Sequence, residues 1–576
     1  MSAEEKQPTM VEGPIDQPAV AAVQHVQADE HEAGEDKVAN NGVVARAESE
    51  RERFRAAKMD DFVVLSRYAF LVCMLSEMMI LCQLSNMLYM VYAGAAPSLV
   101  SCGSKVFVEG ETAKERCDYM TNTGVGNGTC TPDLKAQFVS VNYEFGYYCG
   151  TTKLVKQSIS VQMIGVIVGS VIFGHLSDSY GRRKIMAIAL IMCICFMIVS
   201  SFTNSLLWFT VWRFLVNLTN AGTMVILMVF VVENLPKKDR FWISNLITWS
   251  PNMVLYAVIA YFAGDWRTLT RVSALLAIPA LGLLAFLCES PRYLVQSRRL
   301  DDAKAAVKRI HRIDGRVCDD ELLDHVLFKE EQTFLESRKK KKYNFIHLFY
   351  TWTFTRYTVA VAFSLLVTSI LNYSLLFNME KLSGSLYWNS IIMGLFRYSC
   401  NLAIAFLDIK FEWIGRKFAH AVAQAFSFVA LEICAFIFIM GYHVEFANVV
   451  RAGVLSVIGV CSLLYTTNGI CSNELFPTCI RNTSFSFGQV WSRIGVVISP
   501  QIFLLGDFWL PFPYLLMGIL AAADLLLFHT NVTETKGKPL TDNMPGKDQR
   551  LFSRDKNIEL LPKNPSNKDI ESPKDI

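Results

Sequence analysis

Charge is what this sequence has least of for its length. Only 19% of its 576 residues are Asp, Glu, Lys or Arg, while 52% are hydrophobic. A soluble chain this long divides into domains with polar surfaces, and the residues for those surfaces are missing. Catalytic signatures are missing too. No G-x-x-x-x-G-K-[ST] phosphate loop occurs, which argues against ATP hydrolysis as a power source. Neither a serine–histidine–acid set nor metal-ligand spacing is found, so we expect no enzyme, no metal and no cofactor. The first 60 residues hold no apolar core, so no cleavable signal peptide is expected. Rich in Ala, Glu, Asp and Gln and poor in aromatics, residues 1–60 read as a disordered tail.

What the sequence does have is long apolar runs. Twelve approach or exceed the ~20 residues that a helix needs to cross a bilayer: 68–92, 158–176, 185–202, 206–232, 241–262, 269–287, 352–377, 386–407, 418–440, 449–471, 485–505 and 511–528. The fold class expected is an all-α membrane protein whose surroundings are lipid, with nothing pointing to nucleic acid. Net charge is only +3, and its distribution says more than its size. Lys and Arg crowd 51–58, 182–184, 237–240, 292–316 and 338–342, which the positive-inside rule places in the cytoplasm. An even number of spans then leaves both termini cytoplasmic, with residues 531–576 as a second cytoplasmic tail.

Residues 94–156 form a long polar loop after the first run, on the outer side by this topology. It contains Cys102, Cys117, Cys130 and Cys149, and disulfides persist there. Four cysteines allow three pairings, which spacing does not choose between. The sequon at Asn127 lies in the same loop and is the one that this topology exposes for glycosylation. Those at Asn217 and Asn372 fall in spans, and those at Asn482 and Asn531 fall inside.

A second polar stretch, 289–350, divides the spans six and six, with helical apolar spacing over 301–313. The division coincides with a repeat. Asp178-x-x-Gly181-Arg182-Arg183 follows the second run, and Glu412-x-x-Gly415-Arg416-Lys417 follows the eighth. Glu233-x-x-Pro236-x-x-x-Arg240 follows the fourth, and Glu474-x-x-Pro477-x-x-x-Arg481 follows the tenth. The offsets are 234 and 241 residues. Two motifs recurring in the same order imply a duplicated six-helix unit, 61–288 and 351–530, as in transporters whose halves rock about a midplane site.

Gly174-His-Leu-Ser-Asp-Ser-Tyr-Gly-Arg-Arg-Lys184 resembles the G-x-x-x-D-x-x-G-R-R-K loop of the major facilitator superfamily. The chain is more narrowly similar to the organic cation, anion and zwitterion (carnitine-type) transporters of that superfamily. Glu289-Ser-Pro-Arg-Tyr-Leu294, Glu474-Leu-Phe-Pro-Thr-Cys-Ile-Arg-Asn482, Asp265-Trp-Arg267, Glu534-Thr-Lys-Gly-Lys-Pro-Leu540 and the loop 94–156 match that branch. The similarity spans about residues 60–542. It implies twelve transmembrane helices in two pseudo-symmetric six-helix bundles, the major facilitator fold. The function implied is plasma-membrane transport of small organic ions by alternating access, as uniport or exchange or with a coupling ion. Asn217 departs from the pattern, which has glycine after Arg213-Phe-Leu-Val216.

Charged residues inside spans are candidates for function because burying them is costly. The resemblance places an acid at the position of Arg493 in cation carriers, and an arginine in anion and carnitine-type carriers. Arg493 therefore favours an organic anion or zwitterion, held bidentately by its guanidinium. Alternatively it pairs with Glu432, Glu77 or Asp524. Arg397 would add positive potential, and Glu77 is the counter-charge for the rival reading, an organic cation carrier. A further rival is a non-transporting receptor on the same helices. Tyr373, Tyr256 and Tyr465 are candidate aromatic walls. Asp178, Arg182, Arg183, Glu233, Arg240, Glu412, Arg416, Glu474 and Arg481 read as gating groups at the cytoplasmic helix ends, forming ion pairs in one state and breaking them in the other.

Overall fold

The computed structural model describes residues 59–62, 64–102, 105–107, 113–123, 132–236, 243, 247–339, 344–411, 415–477, 479–536 and 544. Residues 1–58, Asn127, Cys130, Arg240 and Glu412 lie outside the described residues. Of the described residues, 319–326 form a small unit, in which the Asp319 side chain accepts from Leu322 N at 3.2 Å to start a helix. Everything else belongs to one large unit.

That unit is built from twelve long helices. In the first half they are α1 (Arg67–Ala93), α4 (Thr152–Tyr180), α5 (Arg182–Ser200), α6 (Leu206–Asn234), α7 (Trp249–Ala263) and α8 (Trp266–Phe286). In the second they are α12 (Trp352–Leu376), α13 (Leu386–Lys410), α14 (Arg416–Ile439), α15 (Ala447–Glu474), α16 (Arg481–Ile502) and α17 (Phe512–Asn531). Among the described residues nine helices are long and apolar enough to cross a membrane. The other three are α7, with only 15 residues, and α13 and α16, which carry Arg397 and Arg493. Large apolar side chains such as Phe262, Met228, Leu207 and Leu526 stand exposed along the helices, as lipid-facing residues do.

Turns are set by local chemistry. Gly181 alone separates α4 from α5, at φ +115°, a conformation an L side chain rarely adopts. Gly264, at φ +69°, ends α7, and Asp265 starts α8 by accepting from Thr268 N at 2.8 Å. The fifth apolar run was expected from 241, but helix α7 is described only from Trp249. Pro251 sits in its first turn, where the missing N–H is not needed. Within the first half, α4 and α6 pack closely because Gly165 presents no side chain; a Cβ there would lie 2.6 Å from Phe214 O.

The long loop between α1 and α4 carries a three-stranded antiparallel sheet that apolar spacing did not announce. Its order is β2 (Lys105–Val106), β1 (Ser98–Cys102), β3 (Pro132–Lys135), with α2 (Ala113–Thr123) alongside and α3 (Val141–Glu144) following. Cys117 and Cys149 form a disulfide, and Cys102 is also disulfide-bonded. The loop is pinned to the α7–α8 turn, where Glu144 accepts from Trp266 Nε1 at 2.6 Å and pairs with Arg267 at 2.6 Å. At the opposite end lie α9 (Pro291–Gln296) and α10 (Leu300–Asp314), and α11 (Asp320–Lys339) follows in the chain. Asp314 closes α10 and accepts from Tyr68 N at 2.9 Å, capping the start of α1. We call these two ends the loop side and the linker side.

Candidate functional site

On the linker side the repeated motifs build two matching charge clusters. In the first half Arg182 bonds Asp178 at 2.6 Å and Glu233 at 3.5 Å, and lies 4.9 Å over the Tyr293 ring. Glu289 accepts from Arg183 N at 3.0 and 3.1 Å, so its carboxylate caps the N-terminus of α5. The Arg183 guanidinium turns the other way, donating to the carbonyls of Leu284 and Ala285 at the end of α8. In the second half Glu534 does what Glu289 does, accepting from Arg416 N at 2.8 Å and Lys417 N at 3.0 Å. Burial alone would raise the Glu534 carboxyl pKa. The backbone N–H groups of Lys536, Arg416, Lys417 and Thr535 outweigh that and hold it below the ordinary value. Glu474 lies 3.9 Å from Arg416 and accepts from Thr535 Oγ1 at 2.5 Å. Arg481, the basic residue of the same motif, bonds no group among the described residues.

On the loop side the two halves are bonded to each other. Lys156 of α4 donates to Phe377 O at 2.6 Å and to Glu380 at 2.9 Å. Gln137 of the long loop donates to Gly384 O and accepts from Leu386 N. Tyr387 stacks on Tyr92, with ring centroids 5.9 Å apart. Ser160 of α4 donates to Val497 O of α16 at 2.8 Å. Tyr256 is fully buried beneath this closure, edge-on to Tyr92 at 5.8 Å.

Between the two ends lie the remaining candidates. Tyr465 donates to Ser369 at 2.9 Å, and the Ser369 and Ser492 hydroxyls are hydrogen-bonded at 2.8 Å, linking α15, α12 and α16. Arg397 reaches Asn372 of α12 at 3.5 Å, and Tyr373 is half-buried beside Phe377. Glu77 accepts from Asn252 of α7 at 2.8 Å, while its other carboxylate oxygen is buried with no partner.

Arg493, half-buried in α16, makes no hydrogen bond or ion pair among the described residues. None of the three acids considered as its partner is engaged with it. Glu77 is bonded to Asn252, Asp524 to Ser364 and His420, and Glu432 packs against Gly518. The orientation of Arg493 follows from helical spacing. It lies one turn before Val497, whose carbonyl meets α4 of the other half, and on the face of Asn482, Ser486 and Gln489. Ser484, Gly488, Ser492 and Gly495 form a separate buried face, against α12. Asn482 and Ser486 also line a cleft with Asn344 and Phe345 on the linker side. The stripe that carries Arg493 therefore runs from that cleft toward the contact between halves.

Residues 113–544 match the family described as sugar (and other) transporter. The chain belongs to that family. Among relatives, this transporter is 25% identical to organic cation/carnitine transporter 2 of Homo sapiens over 70% of each chain. It is 26% identical to solute carrier family 22 member 6-A of Xenopus laevis, over 72% of this chain and 74% of that one. Among solved structures it resembles the xylose transporter XylE from E. coli. That match has TM-score 0.56 and 15% identity, and covers 82% of this chain and 100% of that chain. The fold is the twelve-helix major facilitator fold, and the chain is a multi-pass membrane transporter rather than an enzyme.

Motif reading missed two kinds of residue in this transporter. Glu289 and Glu534 stood in quoted motifs, and their shared place just past the last helix of each half was the signal available for a common role. Lys156 and Glu380 carried no signal, because each is an ordinary charge next to an apolar run.

Proposed function

We propose that this transporter carries small organic ions across the plasma membrane by alternating access, with anions or zwitterions favoured and both termini in the cytoplasm. The observation that supports the preference is Arg493, a guanidinium left without an acid on the face of α16 that looks toward the other half. An uncompensated cation there raises the local potential and offers two parallel N–H donors to a carboxylate or sulfonate. Arg397, which among the described residues donates only to the Asn372 amide oxygen, adds positive charge from α13. Tyr373 and Tyr465 supply ring surface. The linker-side clusters of Arg182 and Arg416 serve as gating groups, and the loop-side bonds close the opposite end. Relatives named for organic cations and carnitine fit a site whose sign is set by a few side chains.

The test is uptake of a panel of labelled organic anions, zwitterions and quaternary amines into cells expressing the wild type, Arg493→Gln or Arg493→Lys. Anion or zwitterion uptake, reduced at least about tenfold in Arg493→Gln at equal surface expression, is expected from the loss of one charge-assisted bidentate contact. Transport of amines alone, unaffected by Arg493→Gln and abolished by Glu77→Gln, would establish the cation reading. The unpartnered oxygen of Glu77 is what recommends that rival.

A further inference from the structure

The first half contains a second arginine whose charge is not neutralised. Arg213, in the middle of α6, is 1% exposed. Its guanidinium donates to the Asn86 side-chain oxygen at 3.4 Å and to the Asn86 backbone carbonyl at 3.2 Å, and lies 4.0 Å over the Tyr89 ring. Among the described residues no carboxylate bonds it. Its Nε–H has no partner. One turn on, Asn217 is fully buried, and neither its amide nitrogen nor its oxygen is bonded. The hydroxyl of Tyr256 is likewise unpartnered, and its ring meets that of Tyr92, about one turn along α1 from Tyr89.

Native interiors pair almost all buried donors, and they neutralise buried charges. Here an uncompensated cation with one unbonded N–H stands one helical turn from the unbonded Asn217 amide, and the unbonded Tyr256 hydroxyl lies on α7, which packs on α1 as α6 does. A negative charge that accepts several hydrogen bonds at once would satisfy these donors and answer the cation.

We infer that Arg213, Asn217 and Tyr256 form an anion site in the first half, separate from Arg493, that takes a small monovalent anion. The anion is either a free inorganic ion of halide type or the carboxylate head of an organic solute. Asn217 adds an amide donor where the pattern of this branch has a glycine.

The full-length protein in detergent provides the test, by its thermal midpoint at constant ionic strength. Sodium chloride and sodium acetate are each titrated against a bulky sulfonate, which is neither a halide nor a carboxylate. A ligand bound by the folded state raises the midpoint with concentration, and a rise of at least about 2 °C is expected for chloride, acetate or both. Chloride alone identifies the free ion, and acetate alone identifies a carboxylate head group. Arg213→Gln abolishes the response and Arg493→Gln retains it. If Arg213→Gln does not fold, Asn217→Gly and Tyr256→Phe keep the guanidinium and remove one donor each. Each then weakens the apparent affinity about fivefold or more. A flat wild-type titration, or a response lost in Arg493→Gln but unchanged in Asn217→Gly and Tyr256→Phe, overturns the inference. The uptake assay for Arg493 is read separately, so either conclusion can fail alone.

Discussion

Lys156 of α4 and Glu380, just beyond α12, form an ion pair of 2.9 Å that joins the two halves, with side chains only 6% and 9% exposed. The same ammonium donates to the Phe377 carbonyl at 2.6 Å. Screening is weak at such burial, and removing one partner strands the other, which typically costs about 3–5 kcal/mol.

Lys156→Ala should therefore release the loop-side closure. The expected result is faster modification of a cysteine placed at Ser160 by a membrane-impermeant reagent added from the loop side. The double variant Lys156→Glu with Glu380→Lys should bring the rate back toward wild type. Equal rates in all three backgrounds would show that the pair does not hold the halves together.

Gly181 and Gly415 stand against the capping carboxylates. A Cβ at Gly181 would lie 2.6 Å from Glu289 Oε2, on a backbone at φ +115°, and one at Gly415 would collide with Glu534. Gly181→Ala combines strain with steric conflict and should destabilise the protein by about 1–3 kcal/mol. Gly415→Ala meets only the conflict and should cost less. Thermal midpoints of the purified variants decide the order, and equal midpoints in both variants and the wild type would remove the cap from the account.

Glu534 gives a pH dependence of definite sign. Its folded pKa lies below the ordinary value because four backbone N–H groups outweigh the effect of burial. The stabilisation is therefore fully present above the unfolded value of about 4.3 and is lost as pH falls through the lowered folded value. Glu534→Gln should reduce the thermal midpoint at pH 7 and narrow its difference from wild type as pH falls below about 4. A constant difference across that range would contradict the assignment.

Tyr465 holds Ser369, and Ser369 holds Ser492, the residue beside Arg493. Tyr465→Phe deletes one hydrogen bond, worth about 1 kcal/mol. If that chain positions α16, KM for the transported ion should rise about fivefold with little change in maximal rate. A change confined to maximal rate would instead place Tyr465 in the conformational step.

Much of this architecture can be read from the chain directly. The apolar runs, the duplicated Gly-Arg and Glu-x-x-Pro motifs and the α10 helix at 300–314 all correspond to structure. The sheet around Ser98–Cys102 does not stand out, because strands of two to five residues are too short for alternation to register. The partner of Arg182 within its own motif, Asp178, is four residues away and legible. Arg416 instead meets Glu474 of the other repeated motif, a pairing that spacing within one motif does not announce.

By itself the sequence determined that this chain lies in a membrane, how many times it crosses, and that its halves are copies. Those properties depend on run length and on motifs repeated along one strand of text, which hydropathy and spacing report directly. Only the tertiary structure decided which buried charges are answered and which are not. Lys156 meets Glu380 across 224 positions, while Arg493 and Arg213 meet no acid among the described residues. Neutralisation of a charge is settled within a few ångströms by whichever helices pack there, and sequence distance does not record that neighbourhood.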